Sequence, residues 1–296
     1  MLQANFVEMF VHGNLLPMHA RTLGRQWREA LAGSTPLPPD CAPLPSTALL
    51  PTSVELGGQP TRLSGVAVNA AESNSAIELF LQVGTTLSLQ EEAQLLVLAQ
   101  VASKHAFHVL RTRKQLGYVV QCSVRSVGTS RGLTVLIQSS VQPPAQLEAE
   151  IESWMREFRS GPLAELSTSS FAEYQSAVSA LLDEHPKTLQ QETSQIWGEL
   201  VEGTYRFQHE AQLARAVREL ELTQVRSPLM TSDCHRGPAF ATDDLRLPLM
   251  AQVIGLFDDR FAADAPHRRV IVSHWSSQKD AGAAEPSPQK AATMGA

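Results

Sequence analysis

Between residues 33 and 60 the chain carries Pro36, Pro38, Pro39, Pro43, Pro45 and Pro51 among Ser, Thr and Gly, and this stretch sets the first limit on the fold. Proline fixes φ and has no backbone N–H, so such a run can form neither a helix interior nor a central strand. Residues 33–60 therefore read as an extended linker. Residues 1–32, ahead of it, are too few to bury a core alone. They read as a short apolar strand over 5–11, closed by His12-Gly13-Asn14, then a helix over about 15–31. Leu16, Leu23, Trp27 and Leu31 share one side of that helix. The expectation is that this opening piece is the tail of a preceding domain.

After the linker the hydrophobic pattern becomes coherent. Ile77, Leu79, Leu81 and Val83 alternate with Glu78, Phe80 and Gln82, the mark of a half-buried strand. Ser88 precedes a helical run over about 89–113 whose centre, Leu95 to Ala99, is apolar all round, so this helix must be covered on most sides. Two further strands, about 117–124 and 133–138, are joined by a loop with Gly128 and Gly132 and read as a hairpin. Leu147, Ile151, Trp154, Met155 and Phe158 recur at helical spacing over about 145–159. Ser170-Phe171-Ala172-Glu173 has the form of a capping box, with Phe171, Tyr174, Val178 and Leu181 as the inner face of the helix that follows. Helices over about 188–202 and 209–222 come next, and 268–275 reads as a closing strand. Strands followed by helices in this order predict an α+β domain over 61–275, a mixed sheet covered by helices.

Two segments break the pattern. Residues 225–252 are Pro-punctuated and aperiodic, an irregular insert. Gln224-Val225-Arg226 can be encoded in the form of a splice donor, and the expectation is that the insert is translated intron. A spliced message that still encodes Pro228 to Pro248 overturns it. Residues 276–296, rich in Ala, Ser, Pro and Lys, read as a disordered tail.

Several function classes are disfavoured. The net charge of −6 supplies no bulk attraction for nucleic acid or an anionic membrane. No apolar run reaches the roughly 18 residues of a membrane span. The first residues lack a basic n-region, and Glu8 interrupts the apolar stretch, so a signal peptide is not expected. Cys41, Cys122 and Cys234 are odd in number and widely spaced, which fits a reduced, cytoplasmic chain with free thiols. Zinc peptidases place two histidines one helical turn apart beside a glutamate. None of the nine histidines here is four residues from another, so neither H-E-x-x-H nor H-x-x-E-H occurs. His105 and His108 share a helix face but have no third ligand nearby in sequence. G-x-S-x-G and Gly-rich phosphate loops are absent as well.

One segment stands apart. Leu110-Arg111-Thr112-Arg113-Lys114-Gln115-Leu116-Gly117-Tyr118 joins the end of the buried helix to a strand. Its three cations suit the negative end of a helix. Guanidinium and phenol can also hydrogen-bond the carbonyls of a peptide.

That segment resembles the L-R-T-x-x-Q-L-G-Y stretch in the last domain of insulin-degrading enzyme and its pitrilysin and nardilysin relatives. Other matches follow in the family's order: Val11-His12-Gly13-Asn14, Ile77 to Gln82, Gly132 to Ser139, Trp197-Gly198-Glu199, Tyr205-Arg206-Phe207 and Asp264 to Arg268. The resemblance spans about 5–275 and implies four similar α+β domains, in two halves that enclose a chamber. Residues 1–32 would be the tail of the third domain and 61–275 the fourth. Zinc and its H-x-x-E-H motif would lie in the N-terminal half, so no metal ligand is expected in this chain and none of its residues is expected to act as metal-activating base. The resemblance gives Arg111 and Tyr118 the role of holding peptide carbonyls near the scissile bond and stabilising developing negative charge. The implied partners are peptide substrates and the N-terminal catalytic half. By this reading the chain is inactive alone. A non-catalytic binding subunit of the same superfamily, or an inactive fragment, is the rival.

Overall fold

The computed structural model describes residues 8–31, 53–57, 60–201, 204–224, 253, 257 and 269–277. The chain separates into two compact units, one comprising 1–52 with 183–210 and the other 53–182 with 211–296.

The larger unit is organised by the strand Ser75–Gly84 (β2), whose Ile77, Leu79 and Val83 are fully buried while Ala76, Glu78 and Phe80 are only partly covered. Period-two alternation puts one face of the strand into a core and leaves the other open. The remaining strands are Thr61–Val66 (β1), Val119–Val127 (β3), Ser130–Ser139 (β4) and Arg269–Trp275 (β5), and the sheet order is β1-β5-β2-β4-β3. β1 runs parallel to β5 and every other pairing is antiparallel, so the sheet is mixed. The fold is thus α+β, as the pattern predicted. β3 and β4 form the expected hairpin, with Gly128 at positive φ in its turn.

β1 escaped the sequence reading. All six of its residues are exposed, so no burial pattern marks them, and the strand forms only because β5 offers it a ladder. Its Arg62 makes a two-pronged ion pair with Glu148 at 2.6 and 2.7 Å.

Leu89–Ala106 (α2) starts with a capping box in which Ser88 Oγ accepts from the Glu91 N–H and the Glu91 carboxylate accepts from the Ser88 N–H. Its Ala93, Leu95, Val97, Leu98 and Ala102 are buried, as its apolar centre requires. Pro144–Phe158 (α3) buries Leu147, Ile151, Trp154, Met155 and Phe158, the set its periodicity predicted. Both helices pack on the Ile77–Leu79 face of the sheet. Truncating one of the fully buried aromatics, Trp154 or Phe158, to alanine would cost about 3–5 kcal/mol.

Thr168–Leu182 (α4) departs from expectation in two ways. Its N-terminus is capped by Ser167, whose Oγ accepts from the Ser170 N–H, so Ser170 lies inside the first turn and does not form the cap. The inner face is Phe171, Gln175, Val178 and Ser179, while Leu181 is exposed. Gln175 takes an inward position because its amide donates to the Val217 carbonyl of the helix His209–Gln224 (α6) at 2.6 Å. A polar group with a partner is stably buried, and periodicity alone cannot foresee the partner.

Residues 53–57 are held to the sheet. Ser53 Oγ donates to the Val127 carbonyl and accepts from Thr129 N–H, and the buried Gln82 amide joins Leu56 N–H, the Val54 carbonyl and Ser130.

In the smaller unit, Pro17–Leu31 (α1) forms as predicted, but Leu16, Met18, Leu23 and Trp27 are exposed. Residues 8–12 form no strand, contrary to expectation, because a strand exists only where a neighbour pairs with it. His12 instead bonds Thr193 Oγ1 at 2.8 Å and lies 3.3 Å from Glu192, both on Leu189–Val201 (α5), and Tyr205 bonds Glu8. The expectations for 225–252, for the tail from 278, and for Asp264 to Arg268 fall outside the described residues.

Candidate functional site

α2 does not end as an ordinary α-helix. It widens into a π-helical turn, Phe107–Arg113, a form that recurs at functional sites. The closure is correspondingly wide: Lys114 N–H donates to the Val109 carbonyl at 2.9 Å and Leu116 N–H to the Leu110 carbonyl at 3.0 Å. Gln115 takes a left-handed φ of 52°, the conformation that turns a chain out of a helix. Val109, Leu110 and Leu116 are buried and anchor the turn to the core.

Gly117 then passes directly over the end of β4. A Cβ at this position would stand 1.9 Å from the Gln138 carbonyl oxygen. Only glycine allows so close an approach, and it sets the point at which Tyr118 leaves the surface. Tyr118 is 83% exposed and is the last residue before β3.

The sequence-predicted pair is brought together. The Arg111 guanidinium carbon lies 5.0 Å from the centre of the Tyr118 ring and 4.8 Å from that of Phe107, one turn earlier. Two rings thus hold a planar cation through their negative faces, each contact contributing about 0.5–1 kcal/mol at an exposed site. The other two cations have different tasks. Arg113 grips the Glu157 carboxylate at 2.6 and 2.8 Å, and Lys114 pairs with Glu150, so both tie the turn to α3. The hydrogen bond from Arg113 holds the Glu157 carboxyl below its ordinary range. Arg111 makes no ion pair among the described residues.

Phe107 and Gly117 were not singled out from the sequence. Phe107 lies at i−4 from Arg111, a spacing that places it on the same helix face and was open to reading. Gly117 needed the position of β4.

His105 and His108 do not form a metal pair. His105 Nδ1 accepts from the Trp154 indole N–H at 3.0 Å, and its ring packs against Phe158. Burial pushes its pKa down, which suits a neutral acceptor beside the core, and the ring is partly buried, while His108 is exposed. No group of three His, Cys, Asp or Glu side chains among the described residues could hold a metal ion, so a zinc site does not fit them. Cys122 is a free, buried thiol, its pKa pushed up to about 12 by desolvation. None of the described helices is long and apolar enough to cross a membrane.

Comparison with known proteins bears on the same stretch. Residues 97–197, which include the π turn, Arg111 and Tyr118, match the family described as PQQ synthase PqqF-like, C-terminal lobe domain 4. Insulin-degrading enzyme-like 1, peroxisomal, of Arabidopsis thaliana is 31% identical over 75% of this chain and 23% of its own length. The chain belongs to the insulin-degrading enzyme family. It corresponds to the C-terminal portion of that family's members. Nardilysin-like of Arabidopsis thaliana is 29% identical over 74% of this chain and 21% of its own length. The chain thus spans less than a quarter of these family members. Pitrilysin shares the fold, with a TM-score of 0.65 at 20% identity over 92% of this chain and 24% of pitrilysin.

Proposed function

We infer that this chain is the zinc-free, C-terminal portion of an insulin-degrading-type metalloendopeptidase, forming a chamber wall and peptide contacts for a catalytic centre in the N-terminal half. That half would carry the zinc, on the same polypeptide or on a separate one. The reading rests most on one observation: an arginine that pairs with no carboxylate among the described residues is held between two rings at an exposed corner. Its N–H groups would donate to a substrate carbonyl, and the Tyr118 hydroxyl would do the same from the adjoining strand start. Donors fixed in place before the carbonyl oxygen gains charge stabilise the transition state more than the ground state. Arg113 and Lys114, locked to α3, would keep the π turn from yielding. The free buried Cys122 is compatible with a reducing compartment, and the reading places the chain in the cytoplasm.

The test combines this chain with a separately expressed N-terminal half of a related family member and follows cleavage of a fluorogenic peptide. Activity is expected only in the mixture, falling at least about tenfold for Arg111→Ala. Association without cleavage would assign the chain to the rival, a non-catalytic binding subunit. Cleavage insensitive to both Arg111→Ala and Tyr118→Ala would remove these residues from the mechanism.

A further inference from the structure

β3 is the last strand of the sheet and is bonded on one side only, to β4, among the described residues. A strand edge carries a row of N–H and C=O groups that demands a partner, and proteins usually guard it with outward charges, proline or a bulge. β3 has none of these devices. It contains no proline, its register with β4 is uninterrupted over nine pairs, and its one charged side chain is withdrawn. Arg125 stands opposite Gly132, which has no side chain, and crosses it to pair with Glu78 on β2. The guanidinium therefore lies across the sheet face rather than over the edge. Gln121, Ser123 and Ser126, all exposed, leave the edge approachable.

The two ends of the strand differ. At the hairpin end Ser53 occupies the Val127 carbonyl and the turn. At the other end the edge opens beside Tyr118, the residue just before β3, whose ring meets the Arg111 guanidinium held by the π turn.

From this arrangement we propose that the β3 edge receives an extended peptide as a sixth strand, with its end beside Tyr118 anchored by Arg111 and Tyr118. This deepens the function inferred above and rests on it for the anchoring contacts. Recognition is through the peptide backbone, so the occupant is defined by being extended and unpaired rather than by its sequence. Side chains on the helix side of the added strand would lie next to the Phe107 and Tyr118 rings, which favours an apolar residue there.

The experiment measures amide hydrogen exchange of the full chain with and without an acetylated, amidated Thr-Val-Thr-Val-Thr-Val peptide. A second probe replaces every backbone amide of that peptide by an ester, which keeps shape and side chains and removes every backbone N–H donor. At a concentration about ten times its Kd, the amide peptide is expected to slow exchange at alternate amides of 119–126 by about tenfold, and the ester analogue by none. Equal protection by both probes, protection elsewhere, or none at millimolar peptide overturns the proposal. Protection of β3 without peptide that grows with protein concentration also overturns it, assigning the edge to a second copy. The Arg111→Ala variant separates this proposal from the function it rests on. If β3 protection persists at unchanged affinity, the edge holds and the Arg111 contact fails. If affinity falls while both probes behave alike, the side-chain contact holds and the edge fails.

Discussion

Gly117→Ala should damage the protein more than any other single-methyl addition at a described glycine. The new Cβ would stand 1.9 Å from the Gln138 carbonyl oxygen and 2.8 Å from its carbon, both backbone atoms of β4. Against an ordinary contact of about 3.5 Å, the methyl is about 1.6 Å too close. No side-chain rotation can relieve this, so β3 must move away from β4 at their first pair, Val119 with Gln138. A displacement of that size breaks one or two backbone hydrogen bonds, each contributing about 1 kcal/mol net, and adds overpacking strain of about 1–3 kcal/mol. The expected destabilisation is therefore about 2–5 kcal/mol. With an m-value of about 2–3 kcal/mol/M, the urea midpoint should fall by about 0.7–2.5 M with little change in slope. Tyr118 would shift with the strand, so peptide cleavage in the mixed assay should fall as well. Gly161→Ala is the control: nothing lies within 4 Å of its Cβ, and the change should be within about 1 kcal/mol of zero. If Gly117→Ala unfolds within about 0.5 kcal/mol of the parent chain, Gly117 does not set the path of this segment and its close approach to Gln138 is not required.

Arg111→Lys keeps the charge but loses the planar group that two rings can hold, so the mixed assay should show about a 3- to 30-fold loss of kcat/KM despite the conservative change; parent-like activity would mean that charge alone suffices. His105 has its pKa lowered by burial, so the unfolded chain takes up the proton first as pH falls through about 6.5, and stability should drop there. Comparing urea midpoints at pH 7.5 and 5.5 should show a smaller drop for His105→Gln than for the parent, and an equal drop would clear His105 of that role. Cys122, with its thiol pushed to about 12 and fully buried, should resist iodoacetamide at pH 8 until denaturant is added, as read by peptide mapping; ready labelling of the native chain would show that the core opens there.

Much of the architecture was legible because burial leaves a period. The alternation at Ile77 to Val83 fixed β2, and the spacing of Leu147, Ile151, Trp154 and Phe158 gave α3 with its inner face. That Arg111 and Tyr118 lie together was legible because only eight residues run from cation to phenol, short enough for one helix-to-strand turn to hold both. Exposed elements left no such trace. β1 has no buried residue, and residues 8–11, the described part of the strand expected over 5–11, form none.

What the sequence determined by itself, then, is local: which residues turn inward, where helices begin, and which cations stand at the end of α2. It also excluded a paired-histidine zinc motif, because that motif needs residues at fixed spacing and the spacing is absent. Tertiary structure alone decided the rest, because each of those features depends on an atom distant in the chain. Gln175 turns inward to reach the Val217 carbonyl, Gly117 is required by the Gln138 carbonyl, and Arg125 reaches Glu78 across the bare Gly132. Which of the three cations is tied to α3 depended on which ones its carboxylates could reach, and Glu150 and Glu157 took Lys114 and Arg113.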